Sequence, residues 1–175
     1  MKSGLLTIGF SLLASLLVIG PGAARAQGGF EAVTGQAFDR AIPADFYLEG
    51  NRIPVEKRNS ALLKNGSGGR VVLGLIDTTG YSSQIQQKYT GMLITETKIS
   101  VCGNNLGVGS YGFGLQRPAG ASDDSAPFQI YNQAGTKVGE CTAKKDNAAS
   151  QAKPLSVVAG SPAKVYFGKY VIEIK

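Results

Sequence analysis

The chain has no histidine and no tryptophan, and only two cysteines among its 175 residues. Without histidine, Ser-His-Asp and Cys-His nucleophilic arrangements cannot be assembled. Two thiols with no imidazole also make a poor zinc site. The missing tryptophan removes the largest flat platform for stacking on a sugar ring, although Tyr47, Tyr81, Tyr89, Tyr131, Tyr166 and Tyr170 remain. Long helical patterns are absent as well, which argues against the crossover helices that a parallel sheet requires.

The one long apolar run lies at the N-terminus. Lys2 precedes Leu5 to Ile19, Gly20-Pro21-Gly22 breaks the segment, and Ala24-Arg25-Ala26 fits the small-x-small cleavage rule. The run is shorter than the roughly 18–20 residues of a membrane span. Residues 1–26 are therefore expected to be a cleaved signal peptide, with the mature chain starting at Gln27. No cysteine stands at the cut, so a lipid anchor is not supported. The signal is bacterial in style, pointing to the periplasm or the medium. Cleavage removes Lys2 and Arg25 and lowers the formal charge from +6 to +4. That mild excess suits solubility and does not call for nucleic acid.

In an exported chain, Cys102 and Cys141 are expected to form a disulfide. Closing a loop of about 40 residues would contribute on the order of 4 kcal/mol in the chain-entropy picture.

Glycine is abundant, 24 of 175 residues, and favours turns and close backbone contacts over long helices. Residues 27–44 read as an irregular arm that Phe30, Val33, Phe38 and Ile42 could fasten to the body. Residues 45–175 read as a single β domain. Two short apolar runs around Glu49-Gly50-Asn51 predict a hairpin whose Pro54 calls for an edge or a bulge. Lys57 to Lys64 is ambiguous. The continuous apolar run Arg70–Ile76 predicts a strand buried on both faces. Tyr81 to Tyr89 fits either a short helix capped by Ser82 or Ser83, or an alternating strand. Met92–Thr95 and Lys98–Cys102 read as strands, or as one bent strand. A second hairpin is expected around Asn132-Gln133-Ala134-Gly135, and three further strands complete the chain.

The stretch Ile99–Gln116 is the most distinctive. Gly107-Val108-Gly109-Ser110-Tyr111-Gly112 spells G-x-G-x-x-G, but the following residues cannot open a helix, so a dinucleotide site is not expected. If Tyr111, Phe113 and Leu115 face the core, Gly112 and Gly114 leave the other face bare. That strip serves either tight internal packing or a contact surface built from Gly109, Tyr111, Gly112 and Gly114. Gly109–Leu115 and Gly168–Ile174 share the form G-x-Y-x-Φ-x-Φ, where Φ is apolar. This form is similar to strands of transthyretin-like and other immunoglobulin-like sandwiches. It covers under a tenth of the chain, carries no functional residues and assigns no family.

Candidate chemistry is sparse. Glu49, Glu56, Asp77, Glu96, Asp123, Asp124 and Glu140 could supply a carboxylate pair for glycoside hydrolysis, and Ser82 or Ser83 with Lys88 could form a Ser-Lys dyad. None of these sits in a motif that demands another. Asp123-Asp124-Ser125 lacks the repeating ligands of a calcium loop. Arg52, Lys57, Arg58, Lys64 and Arg70 form a basic strip, either a solvated rim or a surface for lipid headgroups or acidic glycans.

The sequence thus predicts an all-β antiparallel sandwich, immunoglobulin/transthyretin-like in general form, or else a small β-barrel, with at most one or two short helices. The expected function is a non-catalytic binding or structural module of the cell envelope, with no catalytic residues, cofactor or metal. Its partner would be an envelope protein or a glycan. The alternatives are a small-ligand-binding barrel and a carboxylate-dependent hydrolase.

Overall fold

The computed structural model describes residues 29–116, 124–147 and 153–175. In chain order the elements are β1 (Glu31–Val33), α1 (Gln36–Ala41), β2 (Asp45–Leu48), β3 (Asn51–Lys64), β4 (Arg70–Ile76), α2 (Ser83–Lys88) and β5 (Gly91–Thr95). There follow β6 (Ile99–Val101), β7 (Asn104–Leu106), β8 (Gly109–Leu115), β9 (Ser125–Asn132), β10 (Lys137–Lys145), β11 (Leu155–Val158), β12 (Ala163–Phe167) and β13 (Tyr170–Ile174). The all-β antiparallel class is as expected. The thirteen strands form one sheet, ten of them in the order β1-β3-β4-β5-β8-β9-β10-β13-β12-β11, with β2 paired to β3 and β6 paired to β13 and β7. It is nearly barrel-shaped. Its two ends meet where Phe30 and Gly160 exchange backbone hydrogen bonds of 2.8 and 2.9 Å.

The interior is packed with side chains. Phe113, Phe128 and Phe167 meet with ring centroids 5.1–5.6 Å apart, a spacing at which offset and tilted rings attract. Leu63, Leu73, Leu93, Ile130, Val165 and Ile172 surround them, all almost wholly buried. A second core lies outside the wall. Strand alternation sends Leu62, Val72, Met92 and Tyr131 outward from β3, β4, β5 and β9, where they meet Ile42, Phe46, Leu48, Ile53, Ile85 and Tyr89. The β2–β3 hairpin, α1 and α2 thus form an outer layer over half of the barrel. This explains the continuous apolar run of β4, whose Val71 and Leu73 point in while Val72 points out.

Several ambiguous stretches are settled by this layering. Lys57 to Lys64 belongs to β3, whose pairing register with β4 shifts between Val55 and Ser60. The bulge follows Pro54 and carries the strand from the outer layer into the wall. The arm read as irregular over 27–44 contains β1, paired with β3, and α1. Propensity is weak in both, and tertiary contact stabilises them. Tyr81 to Tyr89 contains a helix, with Ser82 accepting from the Ile85 N–H at 3.4 Å as its cap. Met92–Thr95 and Lys98–Cys102 fall in separate strands, β5 in the wall and β6 elsewhere.

That other place is a gap. β10 and β13 pair only at Lys144–Val171 and Lys145–Tyr170, and the β6–β7 ribbon fills the rest. Ser100 and Lys175 exchange backbone hydrogen bonds on the β13 side. On the β10 side, Asn104 Nδ2 donates to the Glu140 carbonyl at 3.0 Å, and Cys102 lies at disulfide distance from Cys141, with Cα atoms 6.0 Å apart. The cross-link therefore bridges a place where adjacent wall strands splay. Replacing both cysteines by alanine is expected to lower stability by about 2–4 kcal/mol and to raise amide exchange in 99–106 before the rest of the barrel. Uniform exchange across the chain in the double variant would contradict this placement.

Candidate functional site

A polar cluster of three connected side chains sits on the outer layer, and β8 determines its position. Gly112 and Gly114 are not bare. A Cβ on Gly112 would stand 2.7 Å from the Tyr89 ring and 2.9 Å from Leu48, and one on Gly114 would overlap the Lys88 carbonyl oxygen. The two glycines let the end of α2 lie directly on the sheet, with Thr90 N–H donating to the Phe113 carbonyl at 2.8 Å. Tyr111 belongs to the inner side, beside the barrel core, and its hydroxyl donates to the Gly107 carbonyl at 3.1 Å. Gly109 is half-buried beside the Tyr111 ring.

This contact brings Lys88 and Tyr89 to Glu49. The Lys88 ammonium donates to Glu49 Oε1 and, at 2.7 Å, to the Gly135 carbonyl. The Tyr89 hydroxyl donates to the same carboxylate oxygen at 2.6 Å. Tyr131 meets Tyr89 edge-on at 5.3 Å, and Lys88 Nζ lies 4.8 Å from the Tyr131 ring centroid. The hydrogen bonds from Lys88 and then from Tyr89 hold the Glu49 carboxyl below the ordinary carboxylate range. Burial, then the neighbouring carboxylate, push the Tyr89 phenol upward, so it stays protonated and donates. The cluster ties the β2–β3 turn, α2 and the β9–β10 turn into one unit. Lys88 and Tyr89 share one acceptor, Glu49 Oε1.

No family model, curated protein or solved structure matches this chain.

The remaining candidates are dispersed. Glu56 accepts from Asn59 Nδ2 at 2.6 Å, and Asp77 from the Thr79 N–H at 3.0 Å. Glu96 pairs with Arg70, and Glu140 with Lys137. Asp123 lies outside the described residues, while the Asp124 carbonyl accepts from the Lys145 N–H. Ser82 caps the start of α2 whereas Lys88 ends it, turned to Glu49. Of the basic strip, Arg52, Lys57, Lys64 and Arg70 form ion pairs with Asp45, Asp39, Glu31 and Glu96. These partners come from other elements and locally neutralise the strip, which sequence adjacency could not reveal.

Two measurements check this site. Gly114→Ala is expected to cost about 1–3 kcal/mol through overpacking, with faster amide exchange in 83–90; unchanged exchange there would argue against the close contact. Glu49→Gln is expected to cost about 1–2 kcal/mol at pH 7 by removing a charged acceptor. Because Glu49 titrates lower in the folded protein, its contribution is complete above the ordinary value of 4.5 and fades as pH falls through the folded value. The gap in urea midpoint between wild type and variant should therefore shrink towards pH 3. A gap that persists undiminished would refute the assignment.

Proposed function

We propose that this protein is an exported, non-catalytic binding or structural module of the bacterial cell envelope. The observation that carries the reading is the filled interior. A barrel that encloses a small ligand needs a cavity of some hundreds of Å³, and here three phenylalanine rings and their aliphatic neighbours take up that space. The Glu49–Lys88–Tyr89 cluster is engaged with itself and acts as a brace. What remains to do work is the outer surface, including the β2 strand, which pairs with β3 on one side and carries Tyr47 at 56% exposure.

Export is supported by the N-terminal segment and by the cysteine pair at disulfide distance. Among the described residues, no helix is long and apolar enough to cross a membrane. The test is capture. The mature chain from Gln27, oxidised and tagged, is incubated with solubilised envelope from its own bacterium. Recovery of a defined component with its mass unchanged is the expected outcome. Capture of nothing above a blank support, or progressive cleavage of the component, would overturn the reading.

A further inference from the structure

The positive charge of the mature chain is unevenly placed. Residues 27–97 carry seven basic and seven acidic side chains, and residues 98–175 carry nine and five. Among the described residues, five of the six ion pairs join residues within 31–96, and the sixth is Lys137–Glu140. Lys144, Lys145, Lys153, Lys164 and Lys169 form no ion pair with any described residue.

These lysines share one region. The second core covers the outside of the wall only from β3 to β9, so β10, β13, β12 and β11 have no outer layer among the described residues. Along β12, Ala163, Val165 and Phe167 are buried while Lys164 is exposed and Tyr166 half-exposed, which puts the latter two on the outside. Lys144 stands opposite Val171 and Lys164 opposite Glu173. The Asp146 N–H donates to the Lys169 carbonyl, and the Gly168 N–H to the Pro154 carbonyl, which brings Lys145, Lys153 and Lys169 together at one end of these strands. The acids here are Glu173, Asp146, Asp124 and Glu140; Asp146 accepts from the Tyr166 hydroxyl at 3.1 Å, the Asp124 carbonyl accepts from the Lys145 N–H, and Glu140 pairs with Lys137. Where β10 and β13 part, Thr142, Lys144, Val171 and Glu173 border a cleft of about 260 Å³.

We propose that this uncovered wall is a docking face for an acidic polysaccharide. The proposal rests on the reading of the chain as an exported binding module and names its partner class. Charge complementarity points to a polyanion. The cations placed on this face are lysines, point charges on flexible stems, suited to carboxylates spaced along a chain rather than to bidentate phosphate recognition. Thr142, Ser156 and Tyr166 add hydroxyl groups on the same face. The lysines run from the curved wall onto its end, so a flexible chain can follow them where a flat bilayer cannot reach them all. The most exposed apolar side chains on this wall are the short Val158 and Val138, and its one outward aromatic, Tyr166, is held by its hydroxyl to Asp146, unlike the projecting wedges of membrane-surface binding.

The test uses the oxidised mature protein and de-esterified polygalacturonate, with neutral dextran and vesicles of equal phosphatidylglycerol and phosphatidylcholine as comparisons. Binding to polygalacturonate in 50 mM salt is expected, weakening at least tenfold by 300 mM as screening grows. Lys144→Glu with Lys164→Glu should weaken it at least tenfold, and Lys164→Gln alone by a smaller factor. Arg58→Glu, an exposed cation on the covered half, should change it less than twofold. Near-UV circular dichroism verifies that each variant is folded. The proposal falls if polygalacturonate is not bound, if the two-lysine variant binds as wild type does, or if the vesicles are bound and the polysaccharide is not. Envelope capture repeated with the two-lysine variant separates the two readings. Undiminished capture leaves the module standing and removes this face as its binding surface.

Discussion

The contact between β8 and the end of α2 is the constraint on which the outer layer depends. A sheet strand normally presents a side chain every second residue, which keeps any covering segment a side chain's length away. At Gly112 and Gly114 that spacing is withdrawn, and the backbone at Lys88 and the ring of Tyr89 settle onto the strand. Once Lys88 and Tyr89 are fixed there, a single carboxylate from the β2–β3 turn and a single carbonyl from the β9–β10 turn complete the brace. A larger residue at either glycine would lift α2 and part it from both turns at once.

The same arrangement explains why half of the wall can be apolar on both faces. Leu62, Val72 and Met92 would be a liability on an open sheet, but the hairpin and the two short helices bury them. Neither helix could stand alone. Each has six residues, well short of the length at which an isolated helix holds in water. In α2 stability comes from Ile85 meeting the wall and from the brace that pins its end, and in α1 from Phe38 and Ala41 packed against the second core and from the Asp39–Lys57 pair.

Much of this was legible in the residues. The Gly-Asn and Asn-Gln-Ala-Gly turns marked their hairpins because positive-φ glycines between apolar runs leave little else to form; Gly50 and Gly135 adopt φ of 76° and 84°. The unbroken apolar run of β4 announced a strand buried on both faces. The glycine alternation of β8 announced a close approach, without naming what approaches. What stayed hidden depended on distance along the chain. Tyr81 to Tyr89 alternates well enough for a strand, and only the seat on β8 decides for a helix. Glu49 meets Lys88 and Tyr89 across 39 and 40 residues, a relation with no local signature. The basic strip of 52–70 looked like a charged surface because its acids arrive from neighbouring elements. The lysines with no ion pair among the described residues are scattered through the last third of the sequence, where no run draws the eye.

The two halves of the barrel are thus stabilised by different means. The covered half has a second core and balanced charge. The other half has one core, an outward face of lysines and hydroxyl groups, and a gap between β10 and β13 that hydrogen bonding alone leaves open. There the ribbon, with Val101 and Leu106 buried beneath it, supplies apolar contact, and the Cys102–Cys141 link holds it to β10. A cross-link at that point stabilises the wall without adding a layer over it. An added layer would bury Lys144 and Lys164, whose desolvation without partners would cost more than the layer gained. Among the described residues, the position of the disulfide and the lack of an outer layer are therefore two aspects of one solution: a wall kept closed from its edge so that its charged face stays in water.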